Sequence, residues 1–199
     1  MEYRELIKGS NCEKEFRAAY ENRYTWEPSF KGYSGNCLFE KDNDLFEGSF
    51  SFNTDLKIKL EGIDNEIIKK SIQSQLVEVA IHRVRRPFEK VHGENTFEVG
   101  DIDKTGIEVI VGGKNNGDKY RISKNIVTMV YRHIHSNLIL IFTNEVTNTK
   151  DGYLSKTYTS EYLDPTLKIK LSPKRMFTDQ FIPLNQDGTF VLSQRVIET

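Results

Sequence analysis

The apolar residues of this chain recur with two periods, and the switches between them mark out its elements. From Tyr33 to Leu60 the period is two. Tyr33, Cys37 and Phe39 fall on one side of a first strand, and Phe46, Gly48, Phe50 and Phe52 share a face of the next. Leu56, Ile58 and Leu60 then alternate with Lys57 and Lys59 in LKIKL. Alternation with charged partners is the pattern of an antiparallel sheet with one wet face. From Asp64 the period becomes helical. Ile68, Ile72, Leu76, Val79, Ala80 and Val84 fall on one broad face, which Val77 and Ile81 widen. The second half of this segment is apolar over more than half its circumference, wider than the stripe of a surface helix. It predicts a helix set deep in a concavity, with its first turns nearer water. Asp64 is the expected N-cap, Glu66 suits the first turn, and Pro87 is the expected stop.

After Gly93 the period returns to two. NTFEVG and GIEVIV flank the turn DIDKTG, and GGKNNG carries an Asn-Gly hairpin signal. KYRIS, NIVTMVYRHIH, LILIFTNEV and GYLSKTYTSEY follow. A second LKIKL (Leu167 to Leu171), a segment near MFTDQFI, the NQDG turn and TFVLSQRVI complete the series. At the other end, Phe16, Ala19, Tyr20 and Arg23 predict a short helix from about Asn11 to Arg23. An aromatic loop, YTWEPSFKGYSG, separates it from the first strand. Roughly ten strands with hairpin-length connections predict an α+β fold built on an antiparallel meander. A sheet of that length curls. The expected arrangement is a half-barrel wrapped around the 64–85 helix, with a lipocalin-like closed barrel as the competitor. No linker or repeat divides the chain, so residues 1–199 are read as a single domain.

Composition narrows the function classes. A net charge of −1 gives no overall attraction to nucleic acid. No apolar run is long enough to span a bilayer, and MEYRELIKGSNCEKEF lacks the apolar core of a secretory signal. The expected location is cytoplasmic. Cys12 and Cys37 read as two thiols, since neither a CxxC nor a zinc spacing occurs. The sequence does not identify a cofactor.

The densest candidate chemistry is HRVRRPFEKVHG, from His82 to Gly93. Arginine forks suit carboxylates and phosphates, so His82, Arg83, Arg85, Arg86 and His92 are candidate ligand-binding residues for an acidic headgroup or a propionate. The blander reading is a helix C-terminus that favours cations. Tyr24, Trp26, Phe30 and Tyr33 crowd the aromatic loop. They are read as a staple pinning the first helix over the open end of a sheet, or as a lip over a ligand cavity to which Tyr24, Trp26 and Tyr33 contribute. In YRHIH, Tyr131, His133 and His135 are expected on one side of a strand, but no third metal ligand is evident. GDIDKTG lacks the ligands of a calcium loop and reads as a turn. No GxSxG, Walker A, HExxH or GxGxxG pattern is present, so no catalytic residue is nominated.

FRAAYENRYTWEPSFKGYSG, HRVRRPFEKVHGENTFEVGDIDKTG and GYLSKTY resemble an uncharacterised family of cyanobacteria and plant plastids, defined as a domain of unknown function. The resemblance implies a photosynthetic setting, in the cytoplasm or the plastid stroma, and carries no assigned chemistry. Three functions are compatible with these readings. The first is binding of a hydrophobic small molecule, a lipid, pigment or tetrapyrrole. The second is an assembly or interaction factor whose partner is a photosynthetic protein. The third is a bilin-lyase-like enzyme with His82 or His92 as acid or base.

Overall fold

The structure is a computed structural model that describes residues 10–53, 55–184 and 188–199. The expected NQDG turn lies mostly outside the described residues. The fold is mainly antiparallel sheet with few helices. Its elements are α1 (Ser10–Glu21), β1 (Gly32–Lys41), β2 (Asp44–Asn53), β3 (Ile58–Glu61), α2 (Glu66–Arg83), α3 (Phe88–His92), β4 (Asn95–Asp103), β5 (Gly106–Gly113), β6 (Lys119–Ser123), β7 (Ile126–Ile134), β8 (Asn137–Thr149), β9 (Gly152–Leu163), β10 (Arg175–Pro183) and β11 (Phe190–Glu198). The strands form a three-stranded sheet, β1-β2-β3, and an eight-stranded meander running from β11 back to β4. The chain divides into two compact units: Thr25–Arg85, and the chain up to Tyr24 together with everything from Arg86 onward.

In the Thr25–Arg85 unit the sequence periodicity is met closely. Leu60, Ile63, Ile68 and Ile72 are buried together, with Cys37, Phe39, Phe46, Phe50, Ile58 and Leu76 half-buried against them. From Gln75 to Ile81 no α2 side chain is fully exposed, whereas Ile67 in the first turn is 74% exposed. The N-cap is Asn65 rather than Asp64; its side chain accepts from the backbone N–H of Ile67 and Ile68. The helix ends at Arg83, ahead of Pro87, because Val84 turns extended and bridges Trp26 in parallel. The Trp26 N–H donates to the Arg83 carbonyl at 2.7 Å. Pro87, expected as a stop, instead caps α3.

In the other unit, α1 covers the β4–β7 part of the large sheet. Phe16 and Ala19 have no exposed surface, and Cys12 almost none. They pack on Phe88, Val109, Val111, Tyr120, Ile122 and Val127. After α1 the chain runs beside β9: the Tyr153 N–H donates to the Asn22 carbonyl and the Tyr24 N–H to the Tyr153 carbonyl. Gly152 permits this approach. Its φ of +125° suits glycine, and a Cβ there would strike the Asn22 carbonyl oxygen. Tyr24 completes a staple by accepting the Phe190 N–H on its hydroxyl at 2.8 Å.

Further expectations are corrected. The single meander of roughly ten strands is two sheets, of three and eight strands, and the 64–85 helix buries Ile68 and Ile72 with residues of the three-stranded one. The sheets are open: among the described residues β4 and β11 are edges of the meander, so no lipocalin-like barrel closes. Both edge pairs carry a register shift, at Val99/Ile102 and at Gln180/Phe181, and bulges of this kind disrupt the ladder and twist an edge away from further pairing. The second LKIKL is a turn with a lone bridge at Lys170 rather than a strand, because Asp164 caps the N–H groups of Thr166 and Leu167. His135 does not continue the alternation of Tyr131 and His133, since it sits at φ +53° in the β7–β8 turn.

Candidate functional site

The residues nominated from sequence divide between the two units. In the Thr25–Arg85 unit, Trp26 is buried against Phe30, Tyr33 and Phe52. Burial pushes the Tyr33 phenol up to about 12. Arg83 is buried at the end of α2, and its carbonyl receives Trp26. Arg85 is exposed, donates to Thr25 Oγ1 at 3.1 Å and lies 3.7 Å from a Glu27 carboxylate oxygen. His82 is exposed. In the other unit, Tyr24 is the staple described above, and the Arg86 carbonyl accepts from the Tyr20 hydroxyl at 3.1 Å.

His92 is the nominated residue whose surroundings differ most from a cationic cluster. It is 3% exposed. Five rings surround it, from Phe16, Tyr20, Phe88, Phe97 and Tyr120, at centroid distances of 5.0 to 6.1 Å. The cause is local: Phe88 and His92 are four residues apart on α3, so one helical face delivers both against Phe16. Asn95 Nδ2 lies 3.1 Å from His92 Nδ1, and with the amide so oriented Nδ1 accepts. Burial, followed by the positive charges of Arg132 and Arg23, lowers this imidazole to about 4.

Those two arginines mark a continuous set of side chains. Arg23 folds back on the end of α1, donating from Nε to the Tyr20 carbonyl and stacking 3.8 Å from the Tyr20 ring centroid. Tyr20 meets His92, and His92 meets Tyr120. Burial raises the Tyr120 phenol to about 12. Tyr120 pairs with Val130 across β6 and β7, so Arg132, two residues on, shares its face of the sheet. Arg132 Nε donates to Asp118 Oδ2 at 3.3 Å. Asp118 is 2% exposed; its Oδ1 accepts the His133 N–H at 2.8 Å and lies 3.1 Å from His133 Nδ1. The set combines aromatic walls, a neutral imidazole and two half-buried guanidiniums, one of them tied to a buried carboxylate.

Sequence reasoning passed over Arg23, Asp118 and Arg132. Two of them meet only through the β6–β7 register, which sets Lys119 opposite Tyr131 and so Asp118 beside Arg132; the register shift between Arg121 and Ile122 hides that pairing from a count along the sequence. A second buried polar pair was also missed. Arg195 donates from Nε to Asp179 Oδ1 and from a terminal nitrogen to Oδ2, both at 2.8 Å, and lies over the Phe177 ring. Tyr158 stacks on that ring and donates to Asp179 at 3.3 Å. Two shallow, polar depressions lie elsewhere, on β1–β3 around Ser34, Asn36, Gly48, Ser51 and Lys59. No group of three metal-ligating side chains occurs among the described residues. No described helix is long and apolar enough to cross a membrane.

These observations define an open-sheet, largely antiparallel protein with two buried ionic sets. The chain belongs to the DUF3386 family, described as protein of unknown function, whose model matches residues 7–199. No curated protein matches the chain, and no solved structure matches it.

Proposed function

We propose that this protein acts by binding a hydrophobic small molecule that carries an acidic group, such as a lipid, pigment or tetrapyrrole. The binding set is Arg23, Tyr20, His92, Tyr120 and Arg132. One observation carries the reading: Arg23 stacks on the Tyr20 ring and Arg132 shares the sheet face of Tyr120, while both rings pack on His92. Rings give apolar contact, and guanidinium forks suit a carboxylate. His92 remains in the set as a wall. His82, Arg83, Arg85, Arg86, Tyr24, Trp26 and Tyr33 stay proposals for the same measurement. A lyase-like reading would need His92 as acid or base. A neutral imidazole that is 3% exposed favours binding instead. The proposed setting is photosynthetic, in cytoplasm or stroma, on the strength of the family resemblance. The chain is taken as a single domain because both units fall within one family model. Of the expected ten-strand half-barrel around the 64–85 helix, only the curvature is kept as a proposal, for the eight-stranded sheet, because long twisted meanders coil.

Native mass spectrometry of the full chain purified from a photosynthetic host tests this. The wild type should carry an acidic small molecule, and Arg23→Gln and Arg132→Gln should each lose most of it while keeping a native circular dichroism spectrum. A wild type that carries nothing, or variants that retain the species in full, would end the proposal.

A further inference from the structure

Between β9 and β10 the chain makes an excursion that the core does not require. Asp164 Oδ1 accepts the N–H of Thr166 at 2.8 Å and of Leu167 at 2.6 Å, folding a tight turn. Lys168 follows at φ +59°. The chain then doubles back, with Lys170 bridging Leu163 and the Leu171 N–H donating to the Tyr162 carbonyl at 2.8 Å. The loop is therefore pinned at both ends, and its side chains are sorted. Lys168 Nζ lies 5.6 Å from the centre of the Tyr131 ring, and Lys170 Nζ lies 3.1 Å from a Glu161 carboxylate oxygen. Leu167, Ile169 and Leu171 stand outward, 69%, 56% and 51% exposed. Ile134 is a further exposed aliphatic at the same end of the sheet, where Leu138 of β8 pairs with Leu163.

We propose that Pro165–Met176 docks this protein on an anionic lipid surface. Scattered exposed aliphatics need no explanation, but three at alternate positions on a pinned loop form a patch. The charge pattern identifies the occupant. Pro165–Met176 contains Lys168, Lys170, Lys174 and Arg175 and no acidic residue, in a chain of net charge −1. Aliphatic knobs beside cations match an anionic bilayer: the knobs enter below the headgroups, the exposed Lys174 meets the phosphates, and Lys168 and Lys170 join it by exchanging Tyr131 and Glu161 for phosphate. Residues 166–171 are all exposed, as a loop meeting a plane requires. This inference does not depend on the small-molecule reading.

Flotation of the full chain with large vesicles tests it, using either equimolar phosphatidylglycerol and phosphatidylcholine or phosphatidylcholine alone. The protein should float with the anionic vesicles and bind about tenfold less to the neutral ones or in about 0.5 M salt. Changing Leu167, Ile169 and Leu171 together to Ser should also cost about tenfold, with an unchanged melting curve. Should that triple variant fold poorly, the exposed Lys174→Glu serves, with a loss of about fivefold or more. Failure of the wild type to float with anionic vesicles overturns the proposal. So does binding that folded variants leave intact. A concentration-dependent dimer by light scattering that the triple variant abolishes would also overturn it, assigning the face to a second copy of the chain.

Discussion

An imidazole enclosed by Phe16, Tyr20, Phe88, Phe97 and Tyr120 has little room for hydration, so His92 resists protonation until about pH 4. In the unfolded chain it protonates near 6.5. The unfolded state therefore binds the extra proton first, and stability that is complete above about pH 6.5 falls as pH drops toward 4. The slope contributed by this one group reaches at most about 1.4 kcal/mol per pH unit. Urea melts of the wild type and of His92→Gln at several pH values between 7.5 and 4.5 should differ in that slope, the variant being flatter. Parallel curves would show that His92 does not govern this window. The sequence places His92 beside a run of arginines, where it reads as a cation. The feature that settles its character is its spacing from Phe88, which turns both onto Phe16 once a short helix starts at Pro87. That spacing is legible; the early end of α2 at Arg83 that makes room for it depends on pairing with Trp26 and is not.

Helix α2 begins on a side-chain cap, so Asn65→Ala should cost about 1 kcal/mol, measurable as a lower urea midpoint with unchanged slope. The β9–β11 end of the meander contains a costlier element. Asp179 and Arg195 are both nearly buried, and removing either leaves the other charge without its partner. Asp179→Ala or Arg195→Ala should each cost about 3–5 kcal/mol. The double variant Asp179→Leu with Arg195→Met should cost clearly less than the sum, and a double-mutant cycle measures the difference. Strand existence was widely readable from period two, including the hairpin around the Asn-Gly turn. Its limit appears in the two LKIKL segments. Leu56–Leu60 and Leu167–Leu171 are identical, yet the first enters β3 at Ile58 and the second is a loop. Both begin on a side-chain-held turn, the Lys57 N–H going to Asn53 and Asp55 and those of Thr166 and Leu167 to Asp164; they part afterwards, because Ile58–Leu60 finds β2 as a partner whereas only Lys170 bridges Leu163. Pattern reads which side chains can share a face; it does not read where the backbone hydrogen bonds go.

The two thiols report on the molecule as a whole, one in each unit. Burial raises the Cys12 thiol to about 11, and burial also raises Cys37, which is half-exposed. Thiolate is the reactive form. A disulfide reagent should therefore modify Cys37 slowly in the native protein and Cys12 only on unfolding, with mass spectrometry assigning each site. If the chain behaves as a single domain, urea should expose both in one transition. Arg83, Val84 and Arg85 meet Thr25, Trp26 and Glu27, so the segment between Tyr24 and Arg86 begins and ends at one neck. The neck has a kinetic meaning. Closing about 60 residues of free chain costs about 3–4 kcal/mol of loop entropy. When β1–β3 and α2 assemble first, that closure is complete before α1 seeks its place on β4–β7, and the effective contact order of the larger sheet drops. Pulsed thiol labelling during refolding should then find Cys37 protected ahead of Cys12. In that order of events the neck makes the inserted unit the first chapter of folding, although it is neither first nor last along the chain.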